Sequence, residues 1–142
     1  MSANRNKDLA RRFKSAESHQ VFPPLQKAFD DNDGITFSFQ FLQRNYDLEN
    51  KSLSKDNKIQ LLKKLVGISK TSWSSLVLMD KRSGFERLNK NAISSLPSII
   101  TDDIDKLYVL RFASQGCRLI GFRQGNIYHI LYIDPNLSLY KH

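Results

Sequence analysis

The sequence predicts an α+β fold: a twisted antiparallel sheet, made of a leading strand and a three-stranded C-terminal meander, with two helices packed on one face. Three observations carry that prediction. Residues 35–42 alternate with a period of two, residues 54–66 repeat apolar side chains at helical spacing, and the last third holds three apolar, β-rich runs joined by short connections.

The elements follow in chain order. Residues 1–34 read as an accessory arm, in which Arg11-Arg12-Phe13-Lys14 and Leu25–Phe29 each suit a short helical piece. Pro23-Pro24 stops any helix between them. The Asp30-Asp-Asn-Asp-Gly34 cluster is a turn signal and sets the boundary of a single compact domain, 35–142. It is a poor calcium loop, because the later ligands and a closing Glu are missing. Ile35, Phe37, Phe39 and Phe41 then alternate with Thr36, Ser38, Gln40 and Leu42, which predicts a strand. A helix is expected from Ser54 to Val66, with Ser54 as N-cap, Ile59, Leu62, Leu65 and Val66 as its buried face, and Gly67 closing it. A short second helix starts near Thr71, with Trp73, Leu76 and Val77 on one face. Gly84–Leu88 suits either a short strand or an extended loop, and Pro97 and Thr101–Asp105 mark another connection. Leu107–Phe112, Cys117–Arg123 and Ile127–Asp134 form the meander, because the short links Ser114-Gln-Gly116 and Gln124-Gly-Asn126 force antiparallel neighbours.

A chain of 142 residues fits one domain, and no apolar run approaches the ~20 residues of a transmembrane helix. The opening residues run into Asp8 and Arg11-Arg12 without an apolar stretch, so no secretory signal is expected and the cytoplasm is the expected compartment. The lone Cys117 excludes an intramolecular disulfide framework and a multi-Cys zinc site. Charge is more informative. Of the net +8, residues 35–100 supply +6, against +1 each from 1–34 and 101–142. That excess attracts polyanions, nucleic acid first among them; a solubilising coat accounts for it equally well from charge alone. Lys55, Lys58, Lys63, Lys64, Lys81 and Arg82 lie in this basic stretch and suit sequence-independent phosphate contacts.

Parity reads the second hairpin. With Gly125-Asn126 as the turn, Gln124 faces Ile127, Phe122 faces His129, Ile120 faces Leu131 and Arg118 faces Ile133. Ile120, Phe122, Ile127, Leu131 and Ile133 then make a core face, with His129 among them. The opposite face holds Leu119, Gly121, Arg123, Tyr128, Ile130, Tyr132 and Asp134, and Arg111 of the preceding strand lies away from Tyr108, Leu110 and Phe112. Tyrosines stack on unpaired bases and guanidiniums hold phosphates, while Gly121 leaves room for a ligand near the backbone. A half-solvated sheet face is the alternative, and a one-residue shift of register changes every pairing.

No Walker loop, dinucleotide-binding fingerprint, zinc-protease helix or kinase signature occurs. His19, His129 and His142 are too scattered for a metal site, and no cofactor is expected. RNA cleavage through the 2′-hydroxyl leaves no strong local motif. It needs a base, an acid and cations for the phosphorane, and no metal ion. The tail from Asp134 to His142 brings Tyr140, Lys141 and His142 together just after the last strand, and Leu137 and Leu139 favour its docking; a frayed terminus is the alternative.

Over residues 35–142 the arrangement resembles the RelE/ParE-like toxin family: a leading strand, two helices, then a meander whose middle strand begins Arg118-Leu-Ile-Gly-Phe. The resemblance implies a metal-independent endoribonuclease that cleaves mRNA, free or on the ribosome, and is held by an acidic antitoxin in its basic groove. It places an arginine early in the middle strand, matched by Arg118, and Tyr or His at the chain end, matched by Tyr140 and His142. In that reading Arg118 and Arg123 stabilise phosphate, Tyr140 or His142 handles protons, and Arg111, Tyr128 and Tyr132 guide the RNA. The alternative is a non-catalytic nucleic-acid- or protein-binding module on the same fold, including a gyrase-inhibiting ParE-type toxin. The arm and the segment from Asp80 to Asp105 are longer than a minimal member needs. Parity sets Arg118 on the core side, unless a bulge near the strand start turns it outward.

Overall fold

β-branched and aromatic alternation in the last third, cut by tight turns, builds the centre of the sheet. The computed structural model describes residues 32–79, 84–113 and 116–140. Strands β3 (Lys106–Phe112), β4 (Cys117–Gln124) and β5 (Ile127–Asp134) form the antiparallel meander, and β2 (Phe85–Asn89) adds to its free side along β3. Gly125, at φ 62°, and Asn126 make the turn between β4 and β5, where a left-handed backbone favours glycine. Most of the expected arm lies outside the described residues.

The leading strand differs from expectation in length and direction. Only Thr36–Ser38 forms β1, and it runs parallel to β5, so the five-stranded sheet is mixed, in the order β1-β5-β4-β3-β2. After Ser38 the chain turns, with the Leu42 amide donating to the Phe39 carbonyl at 3.1 Å, and this leaves Phe39 in solvent. The chain then returns to the edge of β5. Gln43 N–H donates to the Leu131 carbonyl at 2.8 Å and Ile133 N–H to the Tyr46 carbonyl at 2.7 Å, so the edge is satisfied beyond the end of β1.

Helix α1 spans Lys55–Ser69, and the Ser54 hydroxyl accepts the Asn57 amide at 3.0 Å, as an N-cap should. Gly67 does not close it; the helix continues to a cap at Lys70. Its buried side is Leu61 and Ile68, with Leu65 partly buried, whereas Ile59, Leu62 and Val66 face solvent. The expected face was wrong by about a third of a turn. The apolar stripe is wider than the contact, and the sheet chose its edge. Helix α2 is one turn, Trp73–Leu76, capped by Ser72, and it drives Trp73 fully into the core.

Both sheet faces are covered, which corrects the expectation of one open face. Leu110, Phe112, Leu119, Tyr128, Ile130 and Ile133 pack with Leu61, Ile68, Trp73 and Leu76 of the helices. On the other side Leu107, Val109, Ile120, Phe122, Leu131 and Tyr132 pack under Ile93, Phe41, Tyr46, Leu96, Ile100, Ile104, Leu139 and Tyr140. The long connection from β2 to β3 is therefore a covering layer built without a regular helix beyond the 3-10 turn Lys90–Ala92.

The register near the turn is the one parity gives, Gln124 opposite Ile127 and Phe122 opposite His129. It then shifts between Ile120 and Gly121: Gly121 faces Ile130 and Ile120 faces Tyr132, leaving Leu131 as the extra residue of a bulge. Beyond it Arg118 faces Asp134, not Ile133. Tyr132 and Asp134 thereby move to the face of Ile120 and Phe122, and Ile133 joins the helix side. Gly121 serves this bulge. A Cβ there would overlap the His129 carbonyl oxygen, so its close neighbour is the next strand and not a ligand.

Candidate functional site

An acid at the end of the last strand, followed by Pro-Asn, is an Asx-turn signature, and here it folds the tail back over the sheet. The Asp134 carboxylate is fully buried and accepts the amides of Asn136 at 3.1 Å, Ser138 at 2.9 Å and Leu139 at 3.3 Å, together with the Ser138 hydroxyl at 3.2 Å. Leu137 takes a left-handed φ of 55° within this loop. Leu139 and Tyr140 then close over the second core, and the Tyr140 hydroxyl lies 3.4 Å from Glu86 Oε2 on β2.

This return assembles four side chains with Asp134 on one sheet face. Arg111 on β3 and Arg118 on β4 are register partners, and Asp134 faces Arg118 from β5. Two guanidiniums directly opposed across strands repel, and the two carboxylates of Glu86 and Asp134 offset them. Arg118 is 6% exposed and donates through Nη1 to its neighbour's carbonyl, Cys117, at 3.3 Å. Arg111 and Glu86 are half-buried, so the group opens toward solvent on the β2–β3 side. Burial raises the Tyr140 pKa above its ordinary value, the Glu86 charge pushes the same way, and Arg118 opposes both. The phenol thus stays protonated across neutral pH. Burial and the Asp134 charge likewise raise the Cys117 thiol, against Arg118, so this cysteine is not activated.

The remaining expected residues go elsewhere. Arg123 lies five residues along β4 from Arg118, roughly 17 Å at strand rise, and on the opposite face. Its Nε donates to the Gly125 carbonyl at 2.7 Å and its guanidinium sits 4.8 Å from the Trp73 ring centroid. The two arginines cannot hold one phosphate. Tyr128 is fully buried, donating to the Tyr108 carbonyl at 2.7 Å, with burial pushing its pKa well up. Tyr132 is 3% exposed, donates to the Ser95 carbonyl at 3.2 Å and packs edge-on against Tyr46. Neither ring is open to stack on a base. Tyr128 is covered on the helix side by Trp73, and the bulge carries Tyr132 under the layer over the second face. Lys63 is exposed on α1, and Lys64 is half-buried with its pKa lowered by that burial. Lys81, Arg82 and His142 lie outside the described residues.

His129 is buried, stacked on Phe122 at 4.7 Å between ring centroids, with Nε2 2.9 Å from Gln124 Oε1. It is a core histidine. Glu86 is the residue sequence reasoning missed. Its signal was parity with Leu88 on β2, which puts both on the Leu107–Val109 face. No helix among the described residues is long and apolar enough to cross a membrane. Compared with family models, curated proteins and solved structures, the chain matches none.

Proposed function

We propose that this chain is a RelE-like toxin that binds RNA and cleaves it through the 2′-hydroxyl. The observation that carries the reading is the docked tail, which sets the Tyr140 hydroxyl beside Glu86 and over Arg118. The chemistry needs no metal ion. Glu86 takes the 2′-hydroxyl proton as the 2′-oxygen bonds to phosphorus. The bond to the 5′-oxygen breaks, and the protonated Tyr140 phenol supplies that oxygen's proton. Arg111 and Arg118 neutralise the phosphorane. The products are a 2′,3′-cyclic phosphate and a 5′-hydroxyl. Basic side chains such as Lys63 supply sequence-independent phosphate contacts, on mRNA free or held by the ribosome. An acidic antitoxin competes for the same positive field.

A second reading, a non-catalytic binding module on this fold, is favoured by depth. Arg118 and Tyr140 are nearly buried and Asp134 wholly so, as a structural clamp requires. One experiment separates the two. Purified protein is incubated with RNA alone and with translating ribosomes, and the ends of any fragments are mapped. Cleavage with cyclic phosphate ends, lowered about a hundredfold or more in Tyr140→Phe and Glu86→Gln while melting curves hold, is the expected outcome. RNA binding without cleavage in either setting replaces the enzyme with the module.

A further inference from the structure

Helix α1 buries Leu61 and Ile68 yet carries a second apolar stripe, Ile59, Leu62 and Val66, in which Leu62 is 63% exposed and the other two are each 49% exposed. At about 100° per residue the stripe is centred roughly 140° round the helix from the buried pair, so it points away from the core. Phe39 and Leu48, both exposed, stand beside it across an apolar groove of about 270 Å³ and widen the apolar surface. Lysines surround this surface. Lys58 borders the stripe on one side and Lys63 on the other, Lys55 lies one turn before Ile59, and Lys70 one turn past Val66. All four are exposed, and Asp56 is the helix's one acidic residue. Large apolar side chains this continuous on a surface mark a contact site.

We propose that this face of α1 docks on an anionic phospholipid bilayer, with the helix axis in the membrane plane, Ile59, Leu62, Val66 and Phe39 at the headgroup–acyl boundary, and the lysines on the lipid phosphates. An interfacial helix needs this pair of properties: apolar area for the hydrocarbon edge and a rim of cations for the headgroups. Lysine suits the rim because its methylene stem lies along apolar surface while the ammonium reaches the phosphate level. The make-up of the stripe favours a fluid surface over other partners. Ile59, Leu62 and Val66 offer no hydrogen-bonding side chain to specify a protein partner, and a bilayer needs none. RNA would take up the lysines but leave the apolar side chains in water. A second copy of the chain seated face to face would set lysines against lysines around an isologous contact. The inference does not rest on the ribonuclease reading, because α1 covers one face of the sheet and Tyr140 the other.

The test sediments the full chain with vesicles of phosphatidylcholine alone and of phosphatidylcholine and phosphatidylglycerol in equal parts. Binding to the anionic vesicles is expected to be at least about tenfold tighter, and to weaken as salt screens the lysines. Leu62→Gln/Val66→Gln separates insertion from simple attraction, because it removes apolar area and leaves the charge of +8 intact. Its affinity for the anionic vesicles should fall about tenfold or more. Glutamine forms helix as readily as the residues it replaces and both positions are exposed, so the melting temperature should stay near the parent's. In a separate variant, Leu62→Trp, the new indole should shift its emission to the blue on anionic vesicles, over the constant signal of the buried Trp73. Failure to sediment with anionic vesicles, equal binding to both kinds, an unshifted emission, or indifference to the double substitution overturns the proposal. So does a dimer in solution that the double substitution dissolves, which would assign the face to a second copy. RNA cleavage should be unchanged in Leu62→Gln/Val66→Gln, which keeps the two readings separately testable.

Discussion

Single side chains decide how the tail is held. Asp134 accepts four hydrogen bonds while fully buried, so Asp134→Ala leaves three amides and a hydroxyl without their acceptor and Arg118 without its facing carboxylate. A loss of roughly 3–5 kcal/mol is expected, read from urea unfolding, with early proteolytic trimming of the tail. Tyr132→Ala should act on stability and not on RNA stacking. It removes a buried ring with a hydroxyl partner, a loss of about 3–5 kcal/mol by denaturant titration, and any surviving folded protein should keep the parent's salt dependence of RNA binding. His129 gives a pH dependence of definite sign. Burial lowers its pKa below the ordinary 6.5, so the unfolded chain takes up the proton first. Its contribution to stability is complete above about pH 6.5 and declines as pH falls from there toward the lowered folded value. In His129→Gln, the urea midpoint should vary less with pH across that window than in the parent.

At the scale of elements, the bulge in β5 does more than bend a strand. By admitting Leu131 as an extra residue it brings Asp134 opposite Arg118 and Tyr132 under Tyr46, and Gly121 is the residue that lets the two backbones close. Gly121→Ala should destabilise by about 3 kcal/mol or more, since the clash is with main chain that cannot rotate away, and hydrogen exchange should quicken along β4 and β5. Helix α1 is set by its cap and by one edge of a wide apolar stripe. Ser54→Ala should lower stability by about 1 kcal/mol in the same urea assay, because the Asn57 amide loses its acceptor.

For the whole molecule the governing quantity is the charge of +8, most of it in residues 35–100. If the surface holds RNA, affinity for a single strand falls with log salt by about 0.7 per neutralised phosphate, or roughly 3 for four contacts. Charge reversal at Lys63 should flatten that slope and weaken all sequences alike. A slope near zero would leave the charge as a solubilising coat.

Period-two runs and two short connections were enough to place β3, β4 and β5 and the register next to the Gly125 turn, because local alternation and turn length act without tertiary help. The Ser54 cap and the existence of α1 were legible for the same reason. Which stripe of α1 is buried was not, since Ile59 and Leu61 are equally apolar and only the opposing sheet distinguishes them. Nor could alternation foresee the bulge: one extra residue inverts the parity of everything beyond it, moving Tyr132 and Asp134 across the sheet. The covering of the second face by residues 89–105, and the meeting of Glu86 with Tyr140 across 54 residues of chain, are long-range packing events with no local signature. Local spacing determined the strands and caps of this protein, and only tertiary packing decided which side chains share a face.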